Sequence, residues 1–73
     1  MIIPYKNLDG NSQITSYEIG PNYIKLKFQG KFRVYFYTYK KAGVSHVERM
    51  KELAEEGRGL GSYVNKYMSD LYE

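Results

Sequence analysis

Residues 32–41 read FRVYFYTYKK, and how this run pairs with the strand before it decides the fold. Five of its first eight positions are aromatic, Arg33 stands two residues before the first tyrosine, and Lys40 and Lys41 close it. Side chains alternate along a strand, so Phe32, Val34 and Phe36 share one face, and Arg33, Tyr35, Tyr37 and Tyr39 share the other. Upstream, Tyr23-Ile24-Lys25-Leu26-Lys27-Phe28 alternates strictly, with Ile24, Leu26 and Phe28 on one face and Tyr23, Lys25 and Lys27 on the other. Gln29-Gly30-Lys31 reads as the loop between the two strands. A hairpin loop with an odd number of residues keeps side-chain parity, which sets Leu26 opposite Phe32 or Val34. The expected core face is therefore Ile24, Leu26, Phe28, Phe32, Val34 and Phe36. The expected outer face is Tyr23, Lys25, Lys27, Arg33, Tyr35, Tyr37 and Tyr39. A bulge near Arg33–Tyr35 would exchange part of this assignment.

Working outward, Gln13 to Ile19 alternates weakly and stops at Gly20-Pro21-Asn22, a strong turn signal, which predicts the first strand. Residues 1–11 read as an irregular lead-in with Asn7, Asp9, Gly10 and Asn11 as turn formers, and residues 12–73 as one domain. After Ala42-Gly43 the period changes. Ser45 and Glu48 have the spacing of a capping box, and Val44, Val47, Met50, Leu53 and Ala54 recur at helical spacing. Gly57 or Gly59 ends that helix, and Ser62 opens a second one carrying Val64, Tyr67, Met68 and Leu71 on one side. The expected fold is α+β in two layers: a three-stranded antiparallel meander followed by two helices packed on one face.

Composition narrows the class. A chain of 73 residues that is 42% hydrophobic and 16% aromatic supports one small core. With no Cys and one His, disulfides, thiolate metal sites and His-cluster metal sites are excluded. The apolar start Met1-Ile2-Ile3 breaks at Pro4, too short for a signal peptide, and no apolar run approaches the ~20 residues of a membrane span, so the expected setting is the cytoplasm, with no membrane partner. Charge is two-sided: residues 1–43 carry +5 and residues 44–73 carry −2, for a net +3. Between Ile19 and Val47 there is no acidic residue, while Lys25, Lys27, Lys31, Arg33, Lys40 and Lys41 all fall there.

Several short motifs follow one another in a recognisable order: Ser12-x-Ile14, Leu26-x-Phe28 before Gly30, a Tyr-x-Tyr (Tyr37-Thr38-Tyr39 or Tyr35-Phe36-Tyr37), Gly61-Ser62-Tyr63-Val64-Asn65, and Tyr72. The pattern resembles the KTSC domain, named after a C-terminal extension of some lysyl-tRNA synthetases and found also as small stand-alone bacterial proteins. The likeness covers residues 12–72. The chain departs from it at Ala42-Gly43, where the family often has Val-Pro, and at Gly59, where a serine is common. The resemblance implies a small accessory domain and, through the synthetase association, RNA binding.

Two classes of function remain. In the first, Tyr35, Tyr37 and Tyr39 stack the bases of RNA or another single-stranded nucleic acid while Lys25, Lys27 and Arg33 neutralise phosphates; such stacking is worth about 1–3 kcal/mol per base. In the second, the tyrosines are strand formers with a structural role, and the chain binds another protein through its acidic helix layer or an open strand edge. Gly57-Arg58-Gly59-Leu60-Gly61 precedes a helix, which makes Arg58, Gly59 and Gly61 a candidate phosphate site, although a tight connection between helices calls for glycine anyway. Asn65 is placed to hold that connection or to contact a ligand, and holding the connection is the preferred reading. His46 falls on the first turn of its helix, expected to be exposed, with no nucleophile or orienting carboxylate at recognisable spacing. Glu48, Glu52, Glu55 and Glu56 with Arg49 and Lys51 read as a solvated helix face. No catalytic residue, metal site or cofactor is read, and the chain is expected not to be an enzyme.

Overall fold

The computed structural model describes residues 1–8, 10, 12–68 and 71–72. The expected turn formers Asp9 and Asn11 lie outside the described residues. Four antiparallel strands, β1 (Ile3–Pro4), β2 (Ile14–Ile19), β3 (Tyr23–Phe28) and β4 (Val34–Thr38), form one sheet in the order β1-β2-β3-β4. Among the described residues three helices follow: the single turn α1 (Tyr39–Ala42), α2 (Val44–Glu56) and α3 (Leu60–Tyr67). The α+β class and the meander are as expected, but the sheet has a fourth strand. Residues 1–11 are not merely a lead-in: Ile3 pairs with Tyr17, Pro4 pairs with Ser16, and Tyr5 is buried in the core. The Tyr5 hydroxyl accepts from the Leu60 amide at 3.3 Å, tying the N-terminal segment to the start of α3. In the loop that follows, the Asn7 side chain holds Ser12 through two bonds of 3.1 Å, one to its carbonyl and one from its amide.

The β3–β4 register is the main correction. Ile24 stands opposite Tyr37, Leu26 opposite Tyr35, Lys25 opposite Phe36 and Lys27 opposite Val34. Tyr35 and Tyr37 therefore share the core face with Ile24 and Leu26, while Val34 and Phe36 share the other face with Lys25 and Lys27. The cause is the loop. The Lys31 amide closes a turn on the Phe28 carbonyl at 3.2 Å, with Gly30 at φ 76°, and Lys31, Phe32 and Arg33 then run outside the ladder. Six residues, Phe28 to Arg33, thus separate the last paired positions, and an even number reverses parity. Strand β4 is also shorter than expected, because the Thr38 hydroxyl accepts from the Lys41 amide and caps α1, turning Tyr39 into the first residue of a helix.

A bulge does occur, but in β2, between Ile14 and Ser16. It lets Ile14 and Tyr17, three residues apart, both face the core, which is why the alternation of that strand is weak in the sequence. Helix α2 buries Val47, Met50, Leu53 and Ala54 against the sheet, as the helical spacing predicts. Val44 was expected among them and is instead 54% exposed. The capping box also does not form: Gly43 is the N-cap and no side chain caps the helix, because α2 begins at Val44, one residue before Ser45. The helix ends at Gly57, whose amide donates to the Leu53 carbonyl. Helix α3 starts at Leu60, two residues before Ser62, and buries Leu60 and Val64, with Met68 beneath its C-terminal end. Tyr67, expected on the buried side, is half exposed. Each full burial of an Ile, Leu, Val or Met in this core contributes about 1.5–3 kcal/mol.

Candidate interaction surface

The six residues proposed from sequence as a nucleic-acid face do not lie on one face. Tyr37 is 1% exposed, beneath the helices. Burial, with Tyr35 and Tyr72 adding to it, pushes its phenol up to about 12. Tyr35 is half-buried, with its ring edge-to-face against Phe28 at 5.1 Å and against Tyr72 at 4.8 Å. The Arg33 guanidinium lies over Tyr35 and Tyr72, 5.5 and 4.7 Å from the ring centroids, so it belongs to this aromatic cluster and not to the lysine face. Tyr39 has left the sheet for α1, and its hydroxyl donates to the Glu48 carboxylate. That bond raises the Tyr39 phenol and lowers the Glu48 carboxyl. Lys51 binds the same carboxylate at 2.9 Å and reaches the Pro21 carbonyl at 3.5 Å, so α2 is fastened to both α1 and the β2–β3 turn. The expected solvated face of α2 therefore includes a structural fastening, and its ion pairs Glu48–Lys51 and Arg49–Glu52 are spaced i,i+3.

Of the six, only Lys25 and Lys27 stand on the side of the sheet that the helices leave uncovered. With them are Tyr23, Val34 and Phe36, and Ile2 lies over the β1 end. Ile2, Ser16, Glu18, Lys25, Lys27, Val34 and Phe36 line a shallow depression of about 420 Å³ on this side. Its apolar members are well presented, Ile2 at 68% and Val34 at 48% exposure. Phe36 packs edge-to-face on Tyr23 at 5.1 Å, and the Lys25 ammonium sits 5.4 Å from the Phe36 ring and 3.8 Å from Glu18. Two residues before β4, Phe32 is fully exposed, between Lys31 and Arg33. Sequence reading missed Val34, Phe36 and Ile2 as surface residues. The sequence groups Phe32, Val34 and Phe36 on one face, and the even loop count turns Val34 and Phe36 to the uncovered side.

The candidate phosphate residues divide as well. Gly59 and Gly61 line a polar pocket of about 140 Å³ with Ser12, Gln13, Phe28, Ser62 and Asn65, and Arg58 is not part of its wall. A Cβ on Gly61 would lie 2.8 Å from the Ser12 hydroxyl, so glycine here admits Ser12 against the helix. That hydroxyl in turn accepts from the Ile14 amide at 3.1 Å. Asn65, expected to hold the connection, is exposed at the pocket rim. His46 is half-buried rather than exposed: its Nδ1 is 2.6 Å from the Tyr63 hydroxyl, and its ring stacks on Tyr67, joining the start of α2 to α3. Among the described residues, no helix is long and apolar enough to cross a membrane. No protein-family model, curated protein or solved structure matches this chain.

Proposed function

We propose that this chain is a small accessory module that docks another protein on the uncovered side of its sheet, with its β4 tyrosines serving the core. The observation that carries the reading is the division of β4. Its tyrosines are spent inside, on Ile24, Leu26, Phe28 and Tyr72, while Val34 and Phe36 face outward beside Ile2. A row of apolar side chains on an open face costs solubility and gives the fold little, which is the signature of a surface that is covered by a partner. The lysine stems of Lys25 and Lys27 extend the apolar floor, and the Lys27 ammonium favours a partner carrying a carboxylate at the rim, Lys25 being paired with Glu18.

RNA binding is the second reading. It is supported by a different set of residues from the one read in the sequence: Tyr23 and Phe36 as rings and Lys25 and Lys27 as cations, all on the uncovered side. Kinship with KTSC domains belongs to the same proposal. What supports it is that Ser12, Phe28, Gly61 and Asn65, distant along the chain and all part of the motif pattern, line one pocket.

The test has two arms. A short mixed-sequence single-stranded RNA is titrated into the isotope-labelled chain at low and at physiological salt. In parallel, proteins captured from cell extract by the wild type and by Phe36→Lys are compared, and any difference is rebuilt from purified components. The docking reading expects no RNA-induced shift and a protein that binds the wild type and not the variant. Shifts at Tyr23, Lys25, Lys27 and Phe36 that fade with salt would replace it with the RNA reading.

A further inference from the structure

Strand β4 is the last strand in the sheet order, and its outer edge has a definite hydrogen-bonding polarity. The Tyr39 amide donates to the Asn22 carbonyl at 3.0 Å, on the β3 side. Backbone direction alternates along a strand, so the Tyr35 and Tyr37 peptide groups also point to β3, and those of Val34 and Phe36 point outward. The side chains of these same two residues stand on the uncovered face, and Phe32, outside the ladder two residues before β4, is fully exposed. Among the described residues, an edge with no pairing strand thus coincides with an outward-facing apolar pair, Val34 exposed and Phe36 half-buried.

The flanks of this strand carry lysines, Lys31 before it and Lys40 and Lys41 in α1 after it, and no acidic residue occurs in the sequence between Ile19 and Val47. An antiparallel pairing of two copies through β4 would bring Lys31 of one near Lys40 and Lys41 of the other, which disfavours self-association. The same charges attract a segment with acidic ends. The opposite edge of the sheet, β1, has only two residues and offers no comparable length.

We propose that the outer edge of β4 is a strand-addition site for an extended segment of a partner protein, apolar at alternate positions and acidic at both ends. This rests on the protein-docking reading above and specifies the form of the partner. The segment pairs with Val34 and Phe36 through main-chain hydrogen bonds, lays its own apolar side chains beside theirs, and places its carboxylates near the basic residues at either end.

The probe is a synthetic peptide of alternating valine and threonine with paired glutamates at both ends, against a twin ending in lysines. Hydrogen exchange and chemical shifts are followed by NMR on the full chain. The expected result is slowing of exchange at the Val34 and Phe36 amides by about tenfold or more at saturation, with the Tyr35 and Tyr37 amides unchanged. The lysine-ended twin binds at least about tenfold more weakly at low salt. Val34→Pro removes an outward N–H at the start of an edge strand, so the chain stays folded and loses the peptide.

Shifts at Ile2, Lys25 and Lys27 without protection at Val34 and Phe36 would overturn strand addition while leaving docking on the face intact. Equal binding of the two peptides, or undiminished binding by Val34→Pro, would also overturn it. So would the absence of any shift at millimolar peptide, in which case the capture experiment alone decides the docking reading.

Discussion

Truncating neighbours on β4 separates the two registers, because the observed pairing buries Tyr37 and leaves Phe36 on the open face. Tyr37 is 1% exposed and surrounded by the core, so Tyr37→Ala removes a whole ring and leaves a cavity, at a cost of about 3–5 kcal/mol. Phe36→Ala loses contact with Tyr23 on a face already open to water and costs about 1 kcal/mol. For a chain of 73 residues, total stability is of order 4–11 kcal/mol, so the first change removes from about a quarter to all of it. At roughly 4–8 °C per kcal/mol for a domain of this size, Tm falls by at least about 12 °C for Tyr37→Ala and by about 4–8 °C for Phe36→Ala. The chain has no Trp, and each substitution alters the aromatic signal, so unfolding is best followed by far-ultraviolet circular dichroism. A larger loss for Phe36→Ala than for Tyr37→Ala would refute the register and return the Phe32/Val34/Phe36 row to the core.

Three further outcomes are expected. Tyr5→Phe removes the hydroxyl that accepts from the buried Leu60 amide, which destabilises the chain by about 1–3 kcal/mol in urea unfolding and tests whether the N-terminal segment belongs to the domain. Gly43→Ala costs about 1–3 kcal/mol: the residue sits at φ 97° and ψ 145° between α1 and α2, and the space around an added Cβ is open, so the penalty is purely one of backbone conformation. In alkaline solution, Tyr37 is held neutral in the folded chain up to about 12, against 10.0 for an ordinary phenol. A group whose folded pKa is raised contributes stability that is complete below its unfolded pKa and is lost as pH rises through the folded one. Wild-type stability therefore declines from pH 10.0 to about 12, and the decline is shallower in Tyr37→Phe; parallel pH curves for the two would contradict the burial of that phenol.

Much of the fold is legible along single segments and less across them. The alternation of Tyr23–Phe28 correctly assigns Ile24, Leu26 and Phe28 to the core side, and the spacing of Val47, Met50, Leu53 and Ala54 correctly gives the buried stripe of α2. Both are local periodicities. The assignment of β4 depended instead on the number of residues outside the ladder. Phe28 to Arg33 is even because the turn at Gly30 is followed by Lys31, Phe32 and Arg33 outside the β3–β4 ladder, and no local pattern reports that. The same error carried Arg33, Tyr35 and Tyr37 into the candidate binding face. Strand β1 was missed because two residues leave no period to read. Tyr39 was misplaced because Thr38 acts as a helix cap within a run of strand-forming residues. The basic character of residues 25–41 survives the correction, since Lys25, Lys27, Lys31, Lys40 and Lys41 remain at the surface or its margin around β3, β4 and α1.

The β3–β4 register decides which side chains of β4 are buried, and contacts between backbone protons across that pair measure it directly. In an antiparallel ladder the α-protons of residues facing each other at non-hydrogen-bonded positions are in close contact. The observed pairing predicts strong nuclear Overhauser effects between the α-protons of Lys25 and Phe36 and between those of Lys27 and Val34. Effects between Ile24 and Phe36 and between Leu26 and Val34 in their place would contradict it, moving the tyrosines to the surface and the apolar row of β4 into the core.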